Sequence, residues 1–527
     1  MQKLLQISPK LLVINRKKLL LAGFCLVSLL AQGADPVGVT FLRSLDSSLI
    51  GSGVAVVQAE APLTTSGTDW EVSPLAVGLP SSLFTWISST ATNAGIFTNS
   101  SGTESFHADE VGNNFYGTAA GVAPGVAHID NYEAGLFYNS RVQSLTAISG
   151  KIVNQSFVFL GPTTTYDQDY DNYADHFKTL FICGAGNSGP PSAPATCYNG
   201  LAVAAYGGSS STGPTTDGRS KPDITAPGSL TSFSTPLVSG AAAILLQAAN
   251  RDDGGSSTAA RAGDIRTLKA LLLNGAEKPA DWTHLAATPL DTRYGAGVLN
   301  VWNSYRQLRG GKQALVTSSN NGIGGAHLPP NITNNLPTRR GWDQNTISSG
   351  ITSDTVNHYL VDLRGATNRT FTVKATLVWL RQQGQTTIND LDLFLYDAVS
   401  DTLVGSSQSA VDNVEHLFLT NLPPSRYDLQ VLKNGGLTKR VTPSETYALA
   451  FEFGPPEDAR IANPQIAANQ FQGRVIGEPN QNYAIYKTAA FASWSPVVTN
   501  RTSGDGFFDF TDSGASTHRF YRTKLVP

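Results

Sequence analysis

Between Gly53 and Leu308, short apolar runs alternate with longer helical patterns. Val54–Val57, Lys151–Val153, Leu180–Cys183 and Leu201–Ala204 are bounded by Gly, Pro or polar turns, as expected of strands buried in a parallel sheet. Thr235–Ala249 and Ile265–Ala276 predict helices. The first is apolar on nearly every side, so it predicts a central buried helix rather than a surface one. This alternation of strand and helix predicts an α/β sheet with helices on both faces. Residues 309–340 are rich in Gly, Asn, Ser and Pro without periodicity, which predicts a linker. Strand patterns return from 341 to 455, at Phe371–Trp379, Leu391–Tyr396 and Tyr447–Phe453, and predict a β-sandwich. Past Pro455–Pro456, residues 456–527 hold short β-type runs with aromatic residues and predict a small β-rich module.

The N-terminus has a different pattern. Lys3, Lys10, Arg16, Lys17 and Lys18 precede an apolar run, Leu19–Leu30, and the small residues Ala31, Gly33 and Ala34 follow. A basic segment, a short apolar core and a small-residue exit predict a secretory signal, residues 1–33, with cleavage after Gly33. The run is too short to span a bilayer comfortably. The mature protein is then expected to be secreted, extracellular or periplasmic, with no membrane attachment after signal cleavage. Two cysteines remain, Cys183 and Cys197, and an exported protein could hold them as a disulfide or as two buried thiols.

Composition narrows the function classes. Hydrophobic residues make up 41% of the 527, enough for a large core. The formal charge is −3, with no basic stripe, so no nucleic-acid partner is expected. Charged residues are only 15%, below the roughly 25% of ordinary soluble domains, while Gly 50 and Pro 28 indicate many turns.

Four segments could carry chemistry: Gly51–Glu60, Phe106–Val111 running on to Gly121–Gly125, Cys183–Pro190, and Ser209–Gly228 leading into Thr231–Gly240. Hydrolysing an amide needs a nucleophile, a base and donors for the oxyanion. Ser232 precedes the long apolar helix pattern, where a helix N-terminus favours developing negative charge. His107 has a side chain whose ordinary pKa near 6.5 suits a general base. Glu60 ends an apolar strand, where carboxylates of α/β sites tend to sit. Asn187 lies in a Gly-rich turn after a strand, where its amide could face an oxyanion. Singly, each has an ordinary structural explanation; the combination is more specific.

The order acid, His, Asn, Ser with these flanks resembles the subtilisin-like serine peptidases (subtilases). Thr231-Ser-Phe-Ser-Thr-Pro236 matches the family's G-T-S-x-[AS]-x-P after its first position, and Gly184-Ala-Gly-Asn-Ser-Gly189 matches A-A-G-N-x-G. Gly213–Gly228, Gly121–Gly125 and Tyr294–Val298 fit further family segments, so the resemblance spans about 45–308. It implies a subtilisin-like doubly wound, mainly parallel sheet over residues 34–308. It also implies Ser232 as nucleophile, His107 as general base, Glu60 as the orienting acid and Asn187 with the Ser232 N–H as the oxyanion hole. Asn154, Ser156 and Phe157 fall in the segment whose backbone would pair with an extended substrate. Substrates would be proteins or peptides, the chain a monomer, and no cofactor would be needed.

The match has gaps. Glu60 stands where the family has aspartate, with Gln58 as the neutral neighbour that a shifted alignment would put there. Leu230 replaces a glycine, a source of strain if that position has positive φ. These departures motivate an alternative, a catalytically impaired subtilase-fold protein acting as a secreted binding or surface protein. An esterase with the same triad is a third reading. In the sandwich, Asp390, Asp392 and Asp412 are candidates for a structural calcium.

Overall fold

The computed structural model describes residues 37–527, except 65, 160–162, 256, 320–321, 325–326, 366–369, 455–458, 468–469, 477–481, 490–492, 503–506, 514–518 and 527. The expected signal segment, 1–33, and the Pro455–Pro456 boundary lie outside the described residues.

An eight-stranded sheet forms the centre of residues 37–308. Its strands are β1 (Ala55–Glu60), β2 (Phe84–Ile87), β3 (Thr92–Ala94), β4 (His128–Glu133), β5 (Ile152–Gln155), β6 (Leu180–Gly184), β7 (Leu201–Tyr206) and β8 (Ile224–Pro227), in the order β8-β7-β6-β5-β1-β4-β2-β3. All neighbours pair in parallel except the edge strand β3, which runs antiparallel to β2. The predicted apolar runs are these central strands. Val56, Val57, Ile152, Val153, Phe181 and Ile182 are wholly buried, because helices cover both faces.

The principal helices of this part are α1 (Val39–Leu45), α2 (Phe106–Phe115), α3 (Thr163–Phe177), α4 (Thr231–Asn250), α5 (Ile265–Gly275) and α6 (Val301–Arg309). Helix α4 is the central buried helix that its composition predicts. It is long and apolar enough to cross a membrane by composition, but 89% of that stretch is buried inside the fold. Gly240 lets it approach the Gly121–Gly125 turn, since a Cβ there would lie 2.5 Å from Val122 Cβ. On one side of β1 the strands β5, β6, β7 and β8 follow in chain order, while β4 lies on the other side, so the order switches at β1 and the crevice at the carboxyl ends of β1, β5 and β6 is the place where open α/β sheets hold ligands.

The following region is a sandwich of two antiparallel sheets. One holds Val316–Ser319, Thr355–Asp362, Arg426–Lys433, Leu391–Asp397 and Thr402–Ser407; the other holds Arg340–Ser348, Ser444–Gly454, Phe371–Trp379 and Val414–Leu422. The expected linker is therefore partly structural. Val316–Ser319 pairs with Thr355–Asp362, a short alternating run that the surrounding Gly, Asn and Pro residues mask in the sequence.

The sandwich is fused to the α/β part. Val378, Leu380, Val414, Ala448 and Ala450 belong to the same hydrophobic core as the helices and the large sheet. Polar contacts add to this junction. Asp412 accepts from Ser220 N at 2.7 Å, Arg381 pairs with Asp171 at 2.7 Å, and Arg306 pairs with Glu452 at 2.8 Å. The described residues between 459 and 526 form two three-stranded sheets around a small core of their own, with Val475, Tyr483, Ile485 and Phe510.

Cys183 and Cys197 are free and buried, which resolves the two alternatives in favour of thiols. Burial pushes the Cys197 thiol up to about 12 and raises that of Cys183. The three candidate calcium aspartates are engaged separately. Asp390 pairs with Lys439 at 2.7 Å, Asp392 accepts from Asn434 at 2.8 Å, and Asp412 is taken by Ser220. Among the described residues, no group of three or more His, Cys, Asp or Glu side chains is placed to hold a metal ion.

Candidate active site

Glu60 is the last residue of β1, and His107 is the second residue of α2. The strand end and the helix start meet so that Glu60 Oε2 lies 3.0 Å from His107 Nδ1. The carboxylate is 1% exposed and the imidazole 18%. Burial alone would lower the pKa of His107, but the hydrogen bond and charge of Glu60 outweigh it, and the net shift is upward from 6.5. The pair thus fixes the ring with Nδ1 toward the acid and leaves Nε2 as the other ring nitrogen.

Gln58 is where the structure adds most to the sequence reading. It lies two residues before Glu60 on the same strand face, wholly buried. Its Nε2 donates to Glu60 Oε1 at 2.9 Å and to the Ala108 carbonyl at 3.0 Å, while its Oε1 accepts from Tyr116 O–H at 2.6 Å. The amide therefore supports the acid instead of replacing it. A buried amide at strand spacing from a carboxylate is the one sequence signal that points to this, and Tyr116 carries none.

Ser232 lies in the first turn of α4. The next residue, Phe233, has its ring 5.9 Å from the His107 ring, and its carbonyl accepts from Asn114 Nδ2 on α2 at 3.3 Å. These contacts set the serine turn beside the imidazole. The Ser232 hydroxyl donates to the Ser156 carbonyl at 3.3 Å, and among the described residues it has no hydrogen bond to His107. Leu230 causes no strain. Its φ of −137° is extended backbone that any residue adopts, so the glycine expected there is dispensable here.

Leu230 cannot cap α4 with its side chain, and Asn187 does so from the β6 turn. Asn187 Oδ1 accepts from Thr231 N at 2.9 Å and from Thr231 Oγ1 at 3.0 Å. That fixes the amide orientation and leaves Nδ2 as the donor that capping does not use. The turn needs glycine at Gly186, where φ is +103°.

Asn154 differs from its expected substrate-pairing role. Asn154 is inside β5, paired to β1 on one edge and to β6 on the other. Its side chain is wholly buried, donating to Ser156 Oγ at 3.1 Å and accepting from Ser239 at 2.9 Å. Both edges of a central strand are occupied, so Asn154 is unavailable to a substrate. Ser156 is also buried, and its hydroxyl donates to the Ser232 carbonyl at 3.0 Å. Phe157 is half-buried and packs edge-on against Phe159, with centroids 5.4 Å apart. The following residue, Val158, was not anticipated. It is 38% exposed, and a Cβ built on Gly186 would lie 3.8 Å from its Cγ1.

The fourth motif is a scaffold. Asp223 is held between Lys221, at 2.6 Å, and Lys269, at 3.0 Å, all buried, at the entrance to the strand that leads to Ser232. Arg219 lies over the Tyr198 ring at 4.1 Å and pairs with Asp217 at 2.9 Å.

The site thus consists of an acid–histidine pair beside a helix-start serine at the carboxyl edge of a mainly parallel α/β sheet. The model of the Subtilase family (Peptidase_S8) matches residues 94–297, the stretch that holds His107, Asn187 and Ser232 but not Glu60. A solved structure of Tripeptidyl Peptidase 2 (TPP II) is 11% identical over 80% of this chain and 51% of that one, with a TM-score of 0.33. A β-1,2-glucanase from Parabacteroides distasonis is 11% identical over 41% of this chain and 34% of that one, with a TM-score of 0.16. The chain thus spans about half the length of the first of these and about a third of the second. No curated protein matches the chain.

Proposed function

We propose that this chain is an exported serine endopeptidase that hydrolyses peptide bonds through an acyl-enzyme. The observation that carries this reading is the 3.0 Å Glu60–His107 bond, formed beside the helix turn that bears Ser232. Ser232 Oγ attacks the peptide carbonyl and His107 Nε2 takes its proton. Glu60 accepts from Nδ1–H and stabilises the imidazolium. Asn187 Nδ2 and the Ser232 N–H, one of the N–H groups a first helix turn leaves without an intrahelical partner, receive the oxyanion. His107 then protonates the leaving amine, and water releases the acyl group by the same steps. No cofactor takes part in this sequence.

The geometry also supports a substrate preference. With the leaving amine on the His107 side, we place the acyl residue's side chain on the other, between the Ser156–Val158 and Gly184–Asn187 turns, which flank Ser232 and Thr231. Gly186 Cα lies no more than about 5.3 Å from Val158 Cγ1, one Cα–Cβ bond of about 1.5 Å beyond the built Cβ. A side chain threaded between two carbon walls needs about 7 Å, twice the optimal carbon–carbon separation. Gly, Ala or Ser is therefore favoured as the acyl residue.

One observation favours the second reading, a catalytically impaired protein: the Ser232 hydroxyl is directed at the Ser156 carbonyl. A fluorophosphonate probe separates the two. Labelling that Ser232→Ala abolishes supports the peptidase. A folded, unlabelled protein supports the binding protein.

A further inference from the structure

We propose that Gln58 is a positioning residue, which makes a glutamate serviceable as the acid of this site. The proposal rests on the peptidase reading for its kinetic arm, but not for its spectroscopic one. A glutamate has one more rotatable bond than the aspartate expected at this place, so a single contact with His107 leaves its carboxylate free to swing. In the structure both oxygens are held: Oε2 by His107 and Oε1 by Gln58.

Gln58 is itself fixed at three points. Its second Nε2 hydrogen goes to the carbonyl of Ala108, the residue that follows His107, at 3.0 Å. One amide thus ties the end of β1 to the helix turn carrying the imidazole, and the acid and base are set relative to each other. Tyr116 O–H, from the end of the same helix, donates to Oε1 and fixes which way the amide faces. With Oε1 committed as acceptor, Nε2 must face the carboxylate. All three groups are buried, so no water replaces a lost contact. Glu60 is the charge acting on the imidazole. Asp109, on the same helix, accepts from Ser73 N at 2.7 Å and acts on Tyr116.

The test is Gln58→Leu, with Tyr116→Phe as a milder variant that keeps the amide but frees its orientation. Proton NMR of the full chain reads the His107 Nδ1–H resonance and the His107 titration, with His107→Ala for assignment. Gln58→Leu is expected to broaden or lose the resonance and to lower the His107 pKa, because burial then acts with less opposition from Glu60. In turnover, kcat should fall roughly 10- to 100-fold with KM within about twofold, the scale on which loss of a side chain behind a site ligand is felt. Tyr116→Phe should move both readouts the same way by less. A folded Gln58→Leu with an unchanged resonance and titration overturns the proposal. So does an unchanged Tyr116→Phe should Gln58→Leu not fold. Wild-type protein that shows the resonance but hydrolyses nothing would overturn the peptidase reading and leave the positioning role standing.

Discussion

The Ser156 hydroxyl donates to the carbonyl of Ser232 at 3.0 Å, and Pro236 is the reason that carbonyl is free. In a regular helix it would accept from the N–H four residues on, but proline has none. Ser156, just past the end of β5, fills the vacancy and ties the turn that bears Ser232, the proposed nucleophile, to the sheet. Asn154, which donates to Ser156 Oγ, is the next link in the same chain.

Ser156→Ala should therefore loosen the serine turn without touching the triad. A buried carbonyl left without a partner costs about 1–3 kcal/mol. The expected result is a lower melting temperature and a lower kcat, while fluorophosphonate labelling slows but persists. Unchanged melting and unchanged labelling rate would show that the bond is incidental.

Glu60→Gln should change the pH profile in a defined direction. In the wild type, Glu60 raises the pKa of His107, so the acid limb of kcat/KM should lie above pH 6.5. The imidazole must be neutral to act as base, hence activity rises with pH through that limb. Without the carboxylate, burial dominates and the limb should move below pH 6.5. The rate at its plateau should fall by up to ~10⁴-fold, the size of effect seen when an orienting acid becomes an amide. A limb that stays in place would mean that another group titrates.

Val158→Gly should open the acyl pocket. Wild-type enzyme is expected to prefer Ala over Phe at the acyl position of a peptide substrate, and the variant should narrow or reverse that ratio of kcat/KM, chiefly by gaining on Phe. Discrimination against one or two methylenes is worth about 1–3 kcal/mol, and excluding a ring should exceed that. Equal rates on both substrates by the wild type would show that the side chain lies elsewhere.

Much of this site was legible in the sequence because its chemistry sits in short local motifs. Glu60, His107, Asn187 and Ser232 each follow a strand end or open a helix, and such positions are marked by the switch from apolar run to turn. The supports were not legible. Gln58 reads as the acid's rival until its partner Tyr116, 58 residues away, is placed beside it. Asn154 reads as substrate-binding because sequence does not show that β5 is flanked on both edges. Likewise, the strand Val316–Ser319 is invisible within a Gly-rich stretch, since its pairing partner supplies the reason for it to be extended. The fusion of sandwich and α/β core depends on residues such as Val378 and Ala448, which by pattern alone belong to any sandwich interior.

That fusion makes a prediction about truncation. A chain ending at Arg309 would lose Val378, Leu380, Val414, Ala448 and Ala450, and the helix α5 face they cover would be exposed. It would also lose Asp412, whose carboxylate accepts the Ser220 N–H and hydroxyl next to the buried Lys221–Asp223 pair. The strand after Asp223 leads directly to Ser232, so the damage would reach the proposed nucleophile. The expected product is aggregated or unreactive toward the fluorophosphonate probe. A chain ending at Gly454 keeps the shared core and loses only the module around Val475, Tyr483, Ile485 and Phe510, which has its own core. It should be soluble and label at the wild-type rate. Asp412→Ala in the full chain isolates the polar part of the junction: an unsatisfied buried Ser220 N–H should cost about 1–3 kcal/mol and lower the melting temperature. Normal folding and labelling of the chain ending at Arg309 would show that the sandwich is an independent appendage and not a wall of the catalytic core.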